Sequence, residues 1–301
     1  MTWKTPLILA ATAAVSLTGC SDPNLADSPA GDDSTITIGS AAFPESEIIA
    51  EIYAQALEQH GFAVERLMQI GSREVYARAL ESGEIDLIPE YSGNLLSFYQ
   101  PESQARGADE IITALDTALP EGTEILQPAA AEDKDSLTIT RELSEAKGIT
   151  SIADLAKLDA IIVAANPEFS ERSYGVPGLE SIYQLTNITH VPIDDGGGPA
   201  TVKALLDGDV NVANIYSTTP AIVDNNLVTL TDPEEMIAAQ QVVPYLRSEV
   251  ASDEVVAILN DISAKLTTEG LVEMNARSAG DEKAAPATIA ADWLKHYLPA
   301  S

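Results

Sequence analysis

Residues 79–92 (Ala-Leu-Glu-Ser-Gly-Glu-Ile-Asp-Leu-Ile-Pro-Glu-Tyr-Ser) and 204–217 (Ala-Leu-Leu-Asp-Gly-Asp-Val-Asn-Val-Ala-Asn-Ile-Tyr-Ser) write one pattern twice, 125 positions apart. Five of the fourteen positions are identical, and Glu84/Asp209, Ile85/Val210, Asp86/Asn211 and Leu87/Val212 are close in kind. Each copy reads as the end of a helix, a glycine that stops it, a short apolar strand and Tyr-Ser. Glycine stops a helix because it takes the left-handed cap conformation without strain. A strand that is apolar along its length suits a sheet buried on both faces. Tyr91 and Tyr216 are therefore expected at the carboxyl ends of equivalent strands, where open α/β sheets bind ligands.

The rest of the chain alternates in the same way. Strands are expected at 35–40, 64–70, 85–91, 137–140, 160–165, 188–193, 210–216, 228–230 and 241–245, with extended chain at 124–130. Helices are expected at 44–61, 73–81, 108–119, 151–158, near 178–185, at 199–206 and, in the tail, at 252–266, 269–277 and 286–298. Pro44 stands where a helix favours its first residue. Strands alternating with helices predict an α/β fold with mainly parallel sheets. The chain is expected to cross between two lobes near 131–136 and again near 233–241. That gives one lobe from 35–132 plus 238–301, a second from 133–237, and a hinge between them.

The first nineteen residues read as a signal peptide. Lys4 is their only charge, and the apolar run at 6–17 is too short for a stable membrane span. Leu17-Thr18-Gly19-Cys20 follows and resembles a bacterial lipobox, so lipidation at Cys20 is expected. Cys20 is the only cysteine, which rules out an intramolecular disulfide. Residues 20–34, rich in Asp, Ser and Pro, read as a flexible tether. A net charge of −31 repels nucleic acid and anionic headgroups and favours a cationic ligand or simple solubility.

Little in the chain suggests catalysis. It has no nucleophile-elbow, P-loop or zincin motif, and His60, His190 and His296 are scattered. Gly196-Gly197-Gly198 reads either as a phosphate cradle or as a plain turn before a helix. The acids at 194–195 and 232–235 lack the alternating spacing of a calcium loop. Tyr91 and Tyr216 either fill apolar gaps beneath a loop or offer their faces to a quaternary ammonium. Arg172 either forks onto a ligand carboxylate or pairs with Glu171.

Several stretches resemble one family. They are Ile38-Gly39-Ser40-x-x-Phe43-x-Glu45, 51–58, Gly71-Ser72-Arg73-Glu74-Val75-Tyr76, 79–87, Pro89-Glu90-Tyr91-Ser92-Gly93 and Tyr216-Ser217-Thr218. Together they resemble the substrate-binding proteins of osmoprotectant ABC importers, which bind glycine betaine, choline, carnitine or proline betaine. The resemblance covers residues 35 to about 298 and implies a two-lobe type II periplasmic-binding-protein fold. It implies that Tyr91 and Tyr216 belong to an aromatic box and that Arg172 meets a carboxylate. Further box positions fall near Ser136 and Gln240. The usual lysine two residues after Gly39 is Ala41, beside Ser40, and the usual threonine after the first box tyrosine is Asn94.

The expected function is an extracytoplasmic, lipid-anchored monomer that binds an osmolyte between its lobes and delivers it to ABC permease subunits. No enzyme activity, cofactor, metal or nucleic-acid partner is expected. The alternatives are a receptor for a more polar or larger solute, or a porphobilinogen-deaminase-like enzyme on the same scaffold; the enzyme would need a cofactor-bearing cysteine inside the fold.

Overall fold

Two five-stranded sheets organise the chain from residue 35 onward. A computed structural model describes residues 35–298; the expected signal peptide, Cys20 and the tether lie outside the described residues. The first segment runs β1 (Ile36–Gly39), α1 (Pro44–Gln59), β2 (Val64–Leu67), α2 (Arg73–Ser82), β3 (Leu87–Tyr91), α3 (Ser92–Tyr99), α4 (Ala108–Ala118) and β4 (Thr123–Ile125). The second runs β5 (Asp135–Thr140), α5 (Arg141–Lys147), β6 (Ile161–Ala165), α6 (Val176–Ser181), β7 (Ile188–Pro192), α7 (Pro199–Leu206), β8 (Val212–Tyr216), α8 (Ala221–Asp224) and β9 (Leu227–Thr229). The chain then returns through β10 (Val242–Arg247) to α9 (Asp253–Lys265), α10 (Thr268–Ala279) and α11 (Pro286–Tyr297). No described helix is long and apolar enough to cross a membrane.

The sheet orders are β2-β1-β3-β10-β4 and β7-β6-β8-β5-β9. Within each, three neighbouring strands are parallel, and β10 or β5 runs against both of its neighbours. Both sheets are thus mixed: mainly parallel in direction, with one reversed strand each. The reversed strands are those that enter a sheet directly from the other one. The two crossings lie side by side: Glu132 and Gln241 form an antiparallel bridge, and the Val242 N–H donates to the Ala131 carbonyl at 2.9 Å.

The sequence echo is a structural echo. Gly83 and Gly208, which end α2 and the turn after α7, have φ of 77° and 78°, a conformation that costs other residues a steric penalty. Asp86 accepts the Thr37 N–H on β1 at 2.9 Å, and Asn211 accepts the Ile162 N–H on β6 at 2.8 Å. Leu87 and Ile88 pack on opposite faces of the first sheet, as do Val212 and Ala213 of the second, which explains the continuous apolar runs.

Residues 152–157 form a 3-10 helix rather than an α-helix, and α3, α5 and the short α8 lie where no helix was expected. Helix α3 is hidden by Gly93 in its first turn. A side chain there would put Cβ 2.4 Å from the Ala239 carbonyl, so tertiary approach decides that residue, not helix propensity.

Directly before Tyr91, the fully buried Glu90 carboxylate takes two bonds from Arg73 (Nε 2.7 Å, Nη2 3.0 Å), one from the Tyr76 hydroxyl (2.7 Å) and one from the Tyr91 N–H (2.8 Å). A buried ion pair survives only when its spare lone pairs are filled in this way. Glu90→Ala is therefore expected to cost about 3 kcal/mol, the low end for breaking a buried pair because Arg73 keeps some contact with water. Equilibrium urea unfolding checks this; a loss near zero would show the pair to be a bystander.

Candidate functional site

The ends of β3 and β8 supply the first two side chains. Tyr91 is buried, and its hydroxyl donates to Glu45 Oε1 at 2.6 Å. Phe43, just before α1, lies with its ring centroid 6.0 Å from that of Tyr91. Glu45 is in the first turn of α1, so the break between β1 and α1 delivers an aromatic ring and a carboxylate together. Asn275 on α10 donates to Glu45 Oε2 at 2.5 Å and to the Thr218 carbonyl at 3.3 Å. The Thr218 N–H donates to Asp133 Oδ1 at 3.3 Å. A chain of polar contacts thus runs from the first-sheet side through α10 to the segment after β8.

Tyr216 is exposed at the end of β8. With Phe43, Glu45, Asp133, Thr218 and Asn275 it lines a cavity of about 270 Å³ between elements of the two sheets. A second, smaller cavity of about 100 Å³ is lined by Asn94, Arg106, Asp135, Tyr174 and Gln240, among others. Asp135 lies directly across the β5–β8 ladder from Tyr216. Small-molecule sites are concave, partly apolar, and carry a few placed polar groups; the larger cavity has that character.

The electrostatics are one-sided. Burial raises the Glu45 carboxyl above its ordinary value, opposed by the hydrogen bonds from Tyr91 and Asn275. Burial and the neighbouring Glu45 push Asp133 up to about 8. Asp135 is also raised, by burial. The tyrosine hydroxyls follow: burial raises Tyr91, helped by Glu45 and Asp133, and the partial desolvation of the Tyr216 hydroxyl raises that group although the residue as a whole is exposed, helped by Asp135. Like charges gathered in a low-dielectric space disfavour ionisation of each.

The residues singled out from the sequence fall into three groups. Tyr91 and Tyr216 converge on the larger cavity, the first through its bond to Glu45, the second as lining. Asn94 and Gln240 meet at the smaller one: the Asn94 N–H donates to Gln240 Oε1 at 2.9 Å, and Gln240 Nε2 donates to Asn94 Oδ1 at 3.0 Å. Ser40, Ala41, Ser136 and Arg172 line neither cavity. Ser40 Oγ accepts the Gln69 N–H at 2.8 Å, the Ala41 N–H donates to Ser46 Oγ at 3.0 Å, and Ser136 Oγ donates to the Ile215 carbonyl at 2.6 Å. Arg172 is exposed and forms no ion pair with Glu171 or any other carboxylate among the described residues. Phe43, Glu45, Asp133, Asp135, Tyr174 and Asn275 had no site role in the sequence reading. Phe43 and Glu45 stood in the β1–α1 motif, and Asp133 and Asp135 flanked a crossing; those were the available signals.

The triple-glycine turn is a helix cap. Asp195 Oδ2 accepts the Ala200 and Thr201 N–H groups at 2.7 and 3.2 Å, and its Oδ1 accepts the Gly198 N–H at 3.1 Å. The protein's own carboxylate fills the place a phosphate would take. Among the described residues no group of three or more His, Cys, Asp or Glu could hold a metal.

The chain matches the family model described as the substrate-binding domain of ABC-type glycine betaine transport systems, over residues 34–296. It is 29% identical to the glycine betaine-binding protein YehZ of Escherichia coli (strain K12), over 87% of this chain and 90% of that protein. It is 28% identical to a glycine-betaine-binding protein of Pseudomonas aeruginosa, over 88% of each. Apo YehZ of E. coli superposes with a TM-score of 0.72 at 26% identity, covering 87% of this chain and 98% of that one. A glycine betaine/carnitine/choline ABC transporter structure superposes with a TM-score of 0.78 at 20% identity, covering 87% and 99%. The fold is the two-lobe type II periplasmic-binding-protein fold.

A carboxyl with a raised folded-state pKa contributes stability that is complete below its unfolded value and is lost as pH rises through the folded value. For Asp133 that window runs from about 4 to about 8. The ligand-free protein is thus expected to melt at falling temperature across this range. Asp133→Asn should flatten the slope and raise Tm at pH 8 by about 2–4 °C for each kcal/mol relieved. Calorimetric scans at stepped pH decide this; identical slopes for the two proteins would clear Asp133 of the role.

Proposed function

The chain belongs to the family of substrate-binding domains of ABC-type glycine betaine transport systems, and on that premise we propose that it is an extracytoplasmic receptor that holds a quaternary-amine osmolyte in the cavity between its sheets and hands it to ABC permease subunits. That family consists of transport receptors, not enzymes. The observation that carries the reading is the convergence of Tyr216, Phe43 and the Tyr91–Glu45 pair, with Asp133, on one cavity. A quaternary ammonium has no N–H to donate, so aromatic faces and nearby negative charge are the groups that hold it. Asn94 and Gln240, paired at the smaller cavity, offer polar atoms to the rest of the solute, and Arg172 stands outside on the second-sheet side as a cation a solute carboxylate could meet. The Leu17-Thr18-Gly19-Cys20 sequence supports a lipid anchor at Cys20, with residues 20–34 as the tether and the receptor acting as a monomer.

Two experiments test this reading. Isothermal titration of the full chain in detergent against glycine betaine, choline, carnitine and proline betaine should reveal binding of at least one. Tyr216→Ala should weaken it by about 0.5–2 kcal/mol, the worth of one ring face, and Tyr216→Phe by much less. Tyr216 is exposed, so the truncation leaves the core intact. No binding of any quaternary amine would refute the reading. For the anchor, Cys20→Ala should move the protein from the membrane to the soluble fraction of a bacterial host, and unchanged fractionation would remove the lipid from the account.

A further inference from the structure

We propose that Glu45 and Asp133 are the counter-charge of this cavity and make it select a monocationic quaternary amine over a zwitterionic one, an inference that rests on the receptor reading above. The lining of the larger cavity contains these two carboxylates and no lysine, arginine or histidine. Both are fixed in place: Glu45 by Tyr91 and Asn275, Asp133 by the Thr218 N–H.

The charged and titratable groups around Asp133 tell the same story element by element. The start of α1 presents Glu45, β3 presents Tyr91, β5 presents Asp135 and β8 presents Tyr216. Glu168 and Tyr174, from the segment between β6 and α6, act on Asp135 and Tyr216. Three cations on the flanking elements are paired with carboxylates. Lys134 Nζ lies 3.3 Å from Glu132, Arg73 is held by Glu90, and Arg277 on α10 lies 2.9 Å from Asp292. Arg106, at the smaller cavity, donates to the Ser103 and Ala105 carbonyls. Arg172 is exposed and outside the lining. A monocation entering this space meets Glu45 and Asp133 with no cation of the protein in the lining to compete with it. A zwitterion brings a carboxylate of its own into the same field, and the lining of this cavity holds no cation to receive it; Arg106, at the smaller cavity, and Arg172 stand outside it.

Proton linkage follows. Asp133 is largely protonated near neutral pH in the ligand-free protein. An adjacent cation favours its ionised form. Binding therefore expels a proton, and the affinity for a monocation rises with pH below about 8, by a factor approaching ten per unit.

The test is isothermal titration of the full chain in detergent with choline, a monocation, and glycine betaine, a zwitterion. Titrations run at pH 6.5 and 8, each in two buffers of different ionisation enthalpy. Choline is expected to bind at least about tenfold tighter than glycine betaine at pH 8, to gain about tenfold between the two pH values, and to release up to about one proton. Betaine should release far less. In Asp133→Asn, the choline preference and its pH dependence should both shrink. The buffer comparison uses the unmodified protein and stands even where that variant folds poorly. Betaine binding as tightly as choline, with no proton released by either, would overturn the counter-charge while leaving the receptor reading in place. Failure of both to bind would remove the receptor reading itself.

Discussion

The cleft depends on one backbone pairing. Where the chain passes from the first sheet to the second, and where it passes back, the two crossings run side by side and bond to each other through the Glu132–Gln241 bridge. The Asp133 N–H also donates to the Gln240 carbonyl at 3.3 Å. Backbone polar groups that leave a sheet must find partners, and here each crossing supplies them for the other. The consequence is geometric. The reversed strands β5 and β10 start from this pairing, so Asp133 and Asp135 from one crossing and Gln240 from the other sit where both sheets present their strand ends.

How much of this was legible in the sequence follows from what kind of signal each feature leaves. The two sheets were legible because their strands are buried on both faces and read as apolar runs, and because the echo at 79–92 and 204–217 repeats a whole unit. Its polar members are part of the unit: Asp86 and Asn211 each reach across to the neighbouring parallel strand, β1 and β6, a bond that needs an acceptor at that one position and so constrained the residue in both copies. The reversed direction of β5 and β10 was not legible, because an apolar run carries no record of strand polarity. Helix α3 was not legible because Gly93 answers to the Ala239 carbonyl and not to its own helix.

The site was half legible, for a related reason. Tyr91 and Tyr216 were placed by the repeat. Their partners were not, since Glu45, Asp133, Thr218 and Asn275 come from four separate parts of the chain and meet only through tertiary structure. No local pattern announces that an asparagine on α10 will donate both to a carboxylate at the head of α1 and to a carbonyl after β8. In place of a third box tyrosine near residue 136, the chain has a serine turned to its own sheet, bonded to the Ile215 carbonyl. The aromatic share of the site is correspondingly smaller and the carboxylate share larger than the family resemblance alone implied.

Those carboxylates weigh against the stability of the fold. Two acids held together away from water work against the folded state, and a core of similar shape without them would be more stable. The network around them limits the cost: Tyr91 and Asn275 satisfy Glu45, and the Thr218 N–H satisfies Asp133. What remains is a demand for positive charge, in a cavity lined from the segments that flank both sheets. A ligand that meets the demand stabilises the arrangement in which both sets of groups touch it. On the receptor reading proposed above, the driving force at this cavity is the ligand's own charge.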